Sequence, residues 1–231
     1  MMMETAYDSQ PVVEPIGHQF SPYADNGGTT VGIAGADFVV MASDTRLSAG
    51  FSIYTREQTK LFQLTDRAVL GSTGCWCDIL TFRKILEARL TMYNQDHNKT
   101  MTTPAIAQLV SNMLYNKRFF PYYISNVICG LDEEGKGCVF AYDPVGHCER
   151  HTYRVGGSSA ALIQPLLDSQ VGLKNQEAVV PRELTVDLAK KLVKDVFISA
   201  TERDIYCGDS VDIRIITKDG IQVENMSLRR D

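Results

Sequence analysis

The chain lacks a CxxC pair. Its six cysteines, at 75, 77, 129, 138, 148 and 207, therefore do not form the pattern of a zinc ribbon. Cys75-Trp76-Cys77 is a CxC, a weak metal signal, and the expectation is reduced, mostly buried thiols in a reducing compartment. The four histidines, His18, His97, His147 and His151, are scattered. His147, Cys148 and His151 stand close together, but alternation along a strand makes them surface or packing residues, so no metal is expected. No dense Lys/Arg run occurs; Arg229-Arg230 is too short, and a net charge of −5 with a pI near 5.4 argues against nucleic acid as the main ligand. The first residues, Met1 to Asp8, are acidic and carry no apolar h-region, so they do not read as a signal peptide. Apolar runs span only a handful of residues, far short of a membrane span, and an intracellular protein is expected. A G-x-x-x-x-G-K-[ST] pattern is missing too. Gly156-Gly157 is thus read as a tight turn rather than a phosphate cradle, and no cofactor is implied.

What is present is ordinary for a soluble globular protein: 44% hydrophobic and 22% charged residues over 231 positions, enough chain to build a core without staples. Residues 1–27 are polar and irregular, with Pro11, Pro15 and Pro22, and read as an extension outside the core, propeptide-like in part. No linker or repeat follows, so 28–231 reads as one domain.

Hydrophobic periodicity gives the elements. Thr29–Ala34 and Phe38–Asp44 read as strands around a Gly35-Ala36-Asp37 turn, the second apolar enough to be covered on both faces. Lys60–Leu64 and Arg67–Ser72 form a second hairpin. Ile79, Phe82, Leu86, Leu90 and Tyr93 mark an amphipathic helix over 76–95. Thr103 as N-cap and Pro104 at the first position open another helix. Strands return at Ile124–Leu131, Gly137–Asp143 and near 148–154. Helices follow at Ala160–Leu167 and about 185–203, and two strands close the chain near 211–217 and 220–227. Runs of strands and helices, rather than strict alternation, predict an α+β fold with antiparallel sheets and helices layered outside them.

The tract with most chemical content is Gly27-Gly28-Thr29-Thr30, followed by Ala42-Ser43-Asp44-Thr45-Arg46 and Lys60. A threonine freed after a glycine carries an α-amine that can act as base for its own hydroxyl. A nearby lysine lowers the pKa of groups around it, and a carboxylate orients that lysine. These motifs, with the Gly156-Gly157-Ser158-Ser159 turn and Arg203-Asp204-Ile205-Tyr206-Cys207-Gly208, resemble the ordered motifs of proteasome beta subunits. The resemblance runs from about residue 20 to the C-terminus. Phe20-Ser21-Pro22-Tyr23, Arg118-Phe119-Phe120-Pro121-Tyr122-Tyr123 and Gly130–Gly137 are similar to one non-catalytic branch of that family.

The resemblance implies a four-layer αββα sandwich of the N-terminal-nucleophile hydrolase type. It implies a place in a heptameric beta ring, in contact with alpha-ring subunits and an opposite beta ring, in cytoplasm and nucleus. It also sets a register. In active relatives the nucleophilic threonine stands sixteen positions before the aspartate and thirty-two before the lysine. Asp44 and Lys60 keep their separation of sixteen, and the nucleophile position then falls on Gly28, which has no hydroxyl. Gly157 and Cys207 stand where the active pattern has serines, while Asp204 is retained. Gly28, Asp44, Lys60, Gly157, Asp204 and Cys207 are therefore expected to be a vestigial site, in a subunit that does not cut.

Each retained residue also has a structural role open to it. Asp44 and Lys60 can be a satisfied ion pair, and Asp204 can bond to the amides of the turn after it. The alternative is an active threonine protease with Thr29 as nucleophile. Thr29 is one residue out of register, and in a strand that points its side chain to the opposite face. Phe119, Phe120, Tyr122 and Tyr123 suit interface anchors or core packing. Trimming by an active neighbour before Phe20 is expected by resemblance, rather than cleavage at Gly28-Thr29.

Overall fold

A computed structural model describes residues 21–174, 176–177 and 183–231. The expected extension lies outside the described residues up to position 20. Strands β1 (Thr29–Ala34) and β2 (Phe38–Asp44) form as their sequence implies and are buried throughout. Two short strands follow, β3 (Leu47–Ala49) and β4 (Ser52–Thr55), then β5 (Leu61–Gln63) and β6 (Ala68–Gly74). Helices α1 (Trp76–His97) and α2 (Thr103–Tyr115) precede β7 (Ile124–Leu131), β8 (Gly137–Tyr142), β9 (Cys148–His151) and β10 (Tyr153–Gly157). The chain then runs through α3 (Ala160–Gln170), α4 (Val186–Thr201), β11 (Ser210–Thr217) and β12 (Gly220–Ser227).

One five-stranded sheet has the order β10-β1-β2-β11-β12, a second the order β5-β6-β7-β8-β9, and β3-β4 is a separate hairpin. All pairings are antiparallel. Alternation along the strands divides the core into three clusters. Val31, Ile33, Val40 and Ala42 pack with Ile163 and Leu167 of α3 and Val193 and Phe197 of α4. Leu70, Ile128 and Phe140 pack with Ile79 and Phe82 of α1 and Ile106 and Val110 of α2. Met41, Val69, Val127 and Val139 come from both sheets and pack together. Strands with apolar side chains on both faces need such cover on both faces.

Two expectations are corrected. The N-cap of α2 is Thr102, not Thr103; Thr103 is the first helical residue, and its Oγ1 donates to Leu131 O at 2.6 Å instead of capping. The single strand expected near 148–154 is two strands in different sheets, β9 beside β8 and β10 beside β1, with Thr152 between them. A period-2 pattern records which face a side chain takes but not which strand lies alongside. The β3-β4 hairpin was not anticipated, since three- and four-residue strands are too short to show a period.

The end of the expected extension also differs. Asn26 is only 6% exposed, and Gly27 and Gly28 are buried. The stripe on α1 is as expected, with Ile79, Phe82 and Leu86 buried, yet its outer face carries exposed Leu80, Ile85 and Met92.

Candidate functional site

The start of β1 sorts its side chains by alternation. Val31 and Ile33 face the α3/α4 side. Gly32 faces the other sheet, where a Cβ would meet Cys129 Sγ. Thr29 therefore shares the helix-facing side, and its Oγ1 accepts the Ser159 N–H at 3.2 Å. Residue 28 shares the side of Gly32. A Cβ built on Gly28 would lie 2.5 Å from Lys60 Cε and 2.9 Å from its Cδ, closer than carbon atoms can approach. Gly28 also has φ +94°, a conformation open to glycine and strained for a β-branched residue. The lysine stem thus fills the space a side chain at 28 would take.

Lys60 is buried and fully engaged. Its Nζ lies 3.1 Å from Asp44 Oδ2, 3.0 Å from Asp44 O and 2.6 Å from Arg46 O. An ammonium has three protons to donate, and all three have acceptors here. Asp44 Oδ1 accepts the Thr29 N–H at 2.7 Å, and Oδ2 accepts the Arg46 N–H at 3.3 Å. Burial pushes the Asp44 carboxyl up from its usual range, and the Lys60 charge and these donors oppose that shift. The pair is the satisfied hub that the sequence allowed.

Asp204 makes the bond expected of it, Oδ1 accepting the Tyr206 N–H at 2.9 Å. It also does something the sequence reading passed over. Its Oδ2 accepts Ser158 Oγ at 2.7 Å and Ser159 Oγ at 2.5 Å, which ties the β10–α3 turn to the turn after α4. Gly157 sits beside them at φ +94°, where a Cβ would fall 2.0 Å from Gly28 O. Gly28 O itself accepts the Ser158 N–H at 2.9 Å. Cys207 is buried, and burial together with the Asp44 and Asp204 charges pushes its thiol up, so it stays protonated.

The residues before Gly28, Asp25–Gly27, are bonded into the fold. The Asn26 N–H donates to Gly74 O and the Gly74 N–H to Gly27 O, both at 3.2 Å, a two-way backbone pairing. Asn26 Nδ2 donates to Ser48 O at 3.0 Å, and its Oδ1 accepts the Trp76 N–H at 2.9 Å. Asp25 Oδ1 accepts the Gly27 N–H at 2.9 Å and closes a local turn. Tyr206 covers Gly27, leaving no room for a side chain there. Sequence reasoning missed this segment, although Asp-Asn-Gly-Gly is turn chemistry and signalled a bend.

Arg46 links the hub to the end of the chain. Its Nε lies 2.8 Å from Asp209 Oδ2, Arg56 Nη1 lies 2.5 Å from Asp209 Oδ1, and Arg46 Nη2 donates to Asp231 O at 3.1 Å. Burial raises the Asp209 carboxyl, but the two guanidinium groups outweigh it and hold the group below its usual range.

The remaining chemical residues are dispersed. His147 Nε2 lies 3.0 Å and His151 Nε2 3.3 Å from the two oxygens of Glu149, a surface cluster on and beside β9. Among the described residues no three His, Cys, Asp or Glu side chains are placed to hold a metal ion, and no helix is long and apolar enough to cross a membrane. The six cysteines are free thiols; Cys77 is exposed and Cys148 half-buried. In the aromatic loop Phe119 is 98% and Phe120 61% exposed, while Tyr122 packs edge-on against Phe82.

A family model described as "Proteasome subunit" matches residues 24–216. The chain is 55% identical over 217 residues to "Proteasome subunit beta type-1" of Danio rerio, covering 94% of this chain and 92% of that protein. It is 54% identical over 214 residues to the protein of the same name in Drosophila melanogaster, covering 92% and 91%. It is 45% identical over 234 residues to "Proteasome subunit beta type-6" of Saccharomyces cerevisiae, covering 97% of each.

Proposed function

The chain belongs to the proteasome subunit family, and from that premise we propose that it is a structural, non-catalytic beta subunit of the beta type-1 kind. Its place is in the 20S core particle, the complex that degrades intracellular proteins with and without ATP and ubiquitin. Its fold is the four-layer αββα sandwich of N-terminal-nucleophile hydrolases, with the three-part core in support. It takes one position in a heptameric beta ring, against alpha-ring subunits and an opposite beta ring, in cytoplasm and nucleus. Its contribution is interface and chamber wall.

The observation that carries this reading is at residue 28. The position sixteen before Asp44 is a glycine, packed against the lysine that an active site would need free. Asp44, Lys60 and Asp204 persist because each is bonded, not because each reacts. Lys60 has no proton unassigned and Cys207 is a protonated thiol; neither Gly28 nor Gly157 has a side chain. Thr29 is not a substitute. Its hydroxyl is on the face away from Lys60 and bonded to the Ser159 amide.

Intact-mass analysis of the subunit from its native particle tests the reading. The expected mature chain keeps the Gly28-Thr29 bond and begins before Tyr23. A mature start at Thr29 contradicts it.

A further inference from the structure

The segment before Gly28 also supports the neighbouring helix. Cys75, the residue before α1, makes no side-chain capping bond. The Trp76 N–H goes instead to Asn26 Oδ1, from a residue fifty positions earlier. The same side chain donates from Nδ2 to Ser48 O, so one buried amide joins the N-terminal segment, β3 and the start of α1. Aspartate keeps the acceptor and loses the donor; alanine loses both.

Three residues upstream, Tyr23 does comparable work for the aromatic loop. Its hydroxyl donates to Pro121 O at 2.7 Å, and its ring lies 5.8 Å from Phe120 and 5.5 Å from Tyr123. That loop is in turn bonded to α1. Tyr123 O accepts the Cys75 N–H at 2.9 Å, and the Tyr123 N–H donates to Asp78 Oδ2 at 2.9 Å. Tyr23, Asn26, the first turn of α1 and residues 119–123 form a closed circuit of contacts.

We propose that Tyr23–Gly28 is a built-in brace, with Asn26 as its positioning residue, and that the first turn of α1 and the 119–123 loop keep their shape only while it is in place. The domain then begins at Tyr23 rather than at Gly28. Trimming before Tyr23 leaves the circuit whole; a cut between Tyr23 and Thr29 opens it. The inference rests on the reading that the Gly28-Thr29 bond stays intact, but its test reads amide exchange rather than the mature N-terminus.

Hydrogen exchange read by mass spectrometry, on the native particle carrying the full chain, tests it with Asn26→Ala and Asn26→Asp. In Asn26→Ala, amides of 74–79 and 119–123 are expected to exchange roughly tenfold faster, the loss of one buried cap and its neighbours, with α4 unchanged. In Asn26→Asp the Trp76 amide stays protected, because a carboxylate suits a helix N-terminus, and 47–49 loosen. Wild-type exchange at 74–79 in Asn26→Ala, or acceleration spread evenly over the chain, overturns the proposal. Should Asn26→Ala fail to enter the particle, Tyr23→Phe removes a single hydroxyl. Faster exchange confined to 119–123 then supports the circuit, and unchanged exchange there overturns it.

Discussion

The cleft at Gly28 and the loop at 119–123 sit at opposite extremes within one chain. In the cleft, the principal polar groups are turned inward and bonded: Lys60 has three acceptors, and Asp44 and Asp204 accept from backbone and side chain alike. In the loop, large apolar groups are turned outward, Phe119 most of all. Exposed aromatics of this size are typical of interface anchors, whereas the charged groups beside Gly28 spend their hydrogen bonds within the chain. The contrast teaches that the charged groups beside Gly28 serve the chain's own interior, while the 119–123 loop offers apolar surface outward.

Substitutions break or sharpen that contrast. The largest effect is expected from Lys60→Met, which leaves Asp44 buried beside a neutral chain and costs about 3–5 kcal/mol in chemical denaturation. Gly28→Thr puts a hydroxyl in register but forces a β-branched residue into positive φ against Lys60. A loss of roughly 2–4 kcal/mol and no peptidase activity are expected, and activity that appears would show that only the hydroxyl was missing.

Phe119→Ala should do the reverse: stability of the chain within about 0.5 kcal/mol of the parent, but incorporation into the particle weakened by about 2 kcal/mol, roughly 30-fold, in competition with wild type. The smallest effect is a pH dependence. The Asp209 carboxyl is held below its usual range when folded, so the stability it contributes is present above about pH 4 and lost as pH falls through its folded value. Thermal melts of Asp209→Asn from pH 6 to pH 2 should show a lower plateau and a shallower acid limb.

Much of this was legible beforehand. Apolar runs between turn signals placed β1 and β2 to the residue, and the separation of sixteen between Asp44 and Lys60 drew attention to Gly28, which packs against Lys60. The tracts around Phe119 and Gly130 pointed past the family to the beta type-1 branch that names the most similar relatives reported above. What escaped was non-local. The bond of Asn26 to Trp76 spans fifty residues, and the serines that reach Asp204 come from forty-five and forty-six positions away. Periodicity carries no trace of such contacts. The split of 148–154 into β9 and β10 escaped for the same reason: which strand lies alongside is set by residues distant in the chain.

The most direct test of the central claim is covalent labelling of the native particle with a threonine-directed epoxyketone, followed by mass measurement of each subunit. No adduct is expected on this chain while catalytic subunits in the same sample are labelled. An adduct on Thr29 of this chain would contradict it.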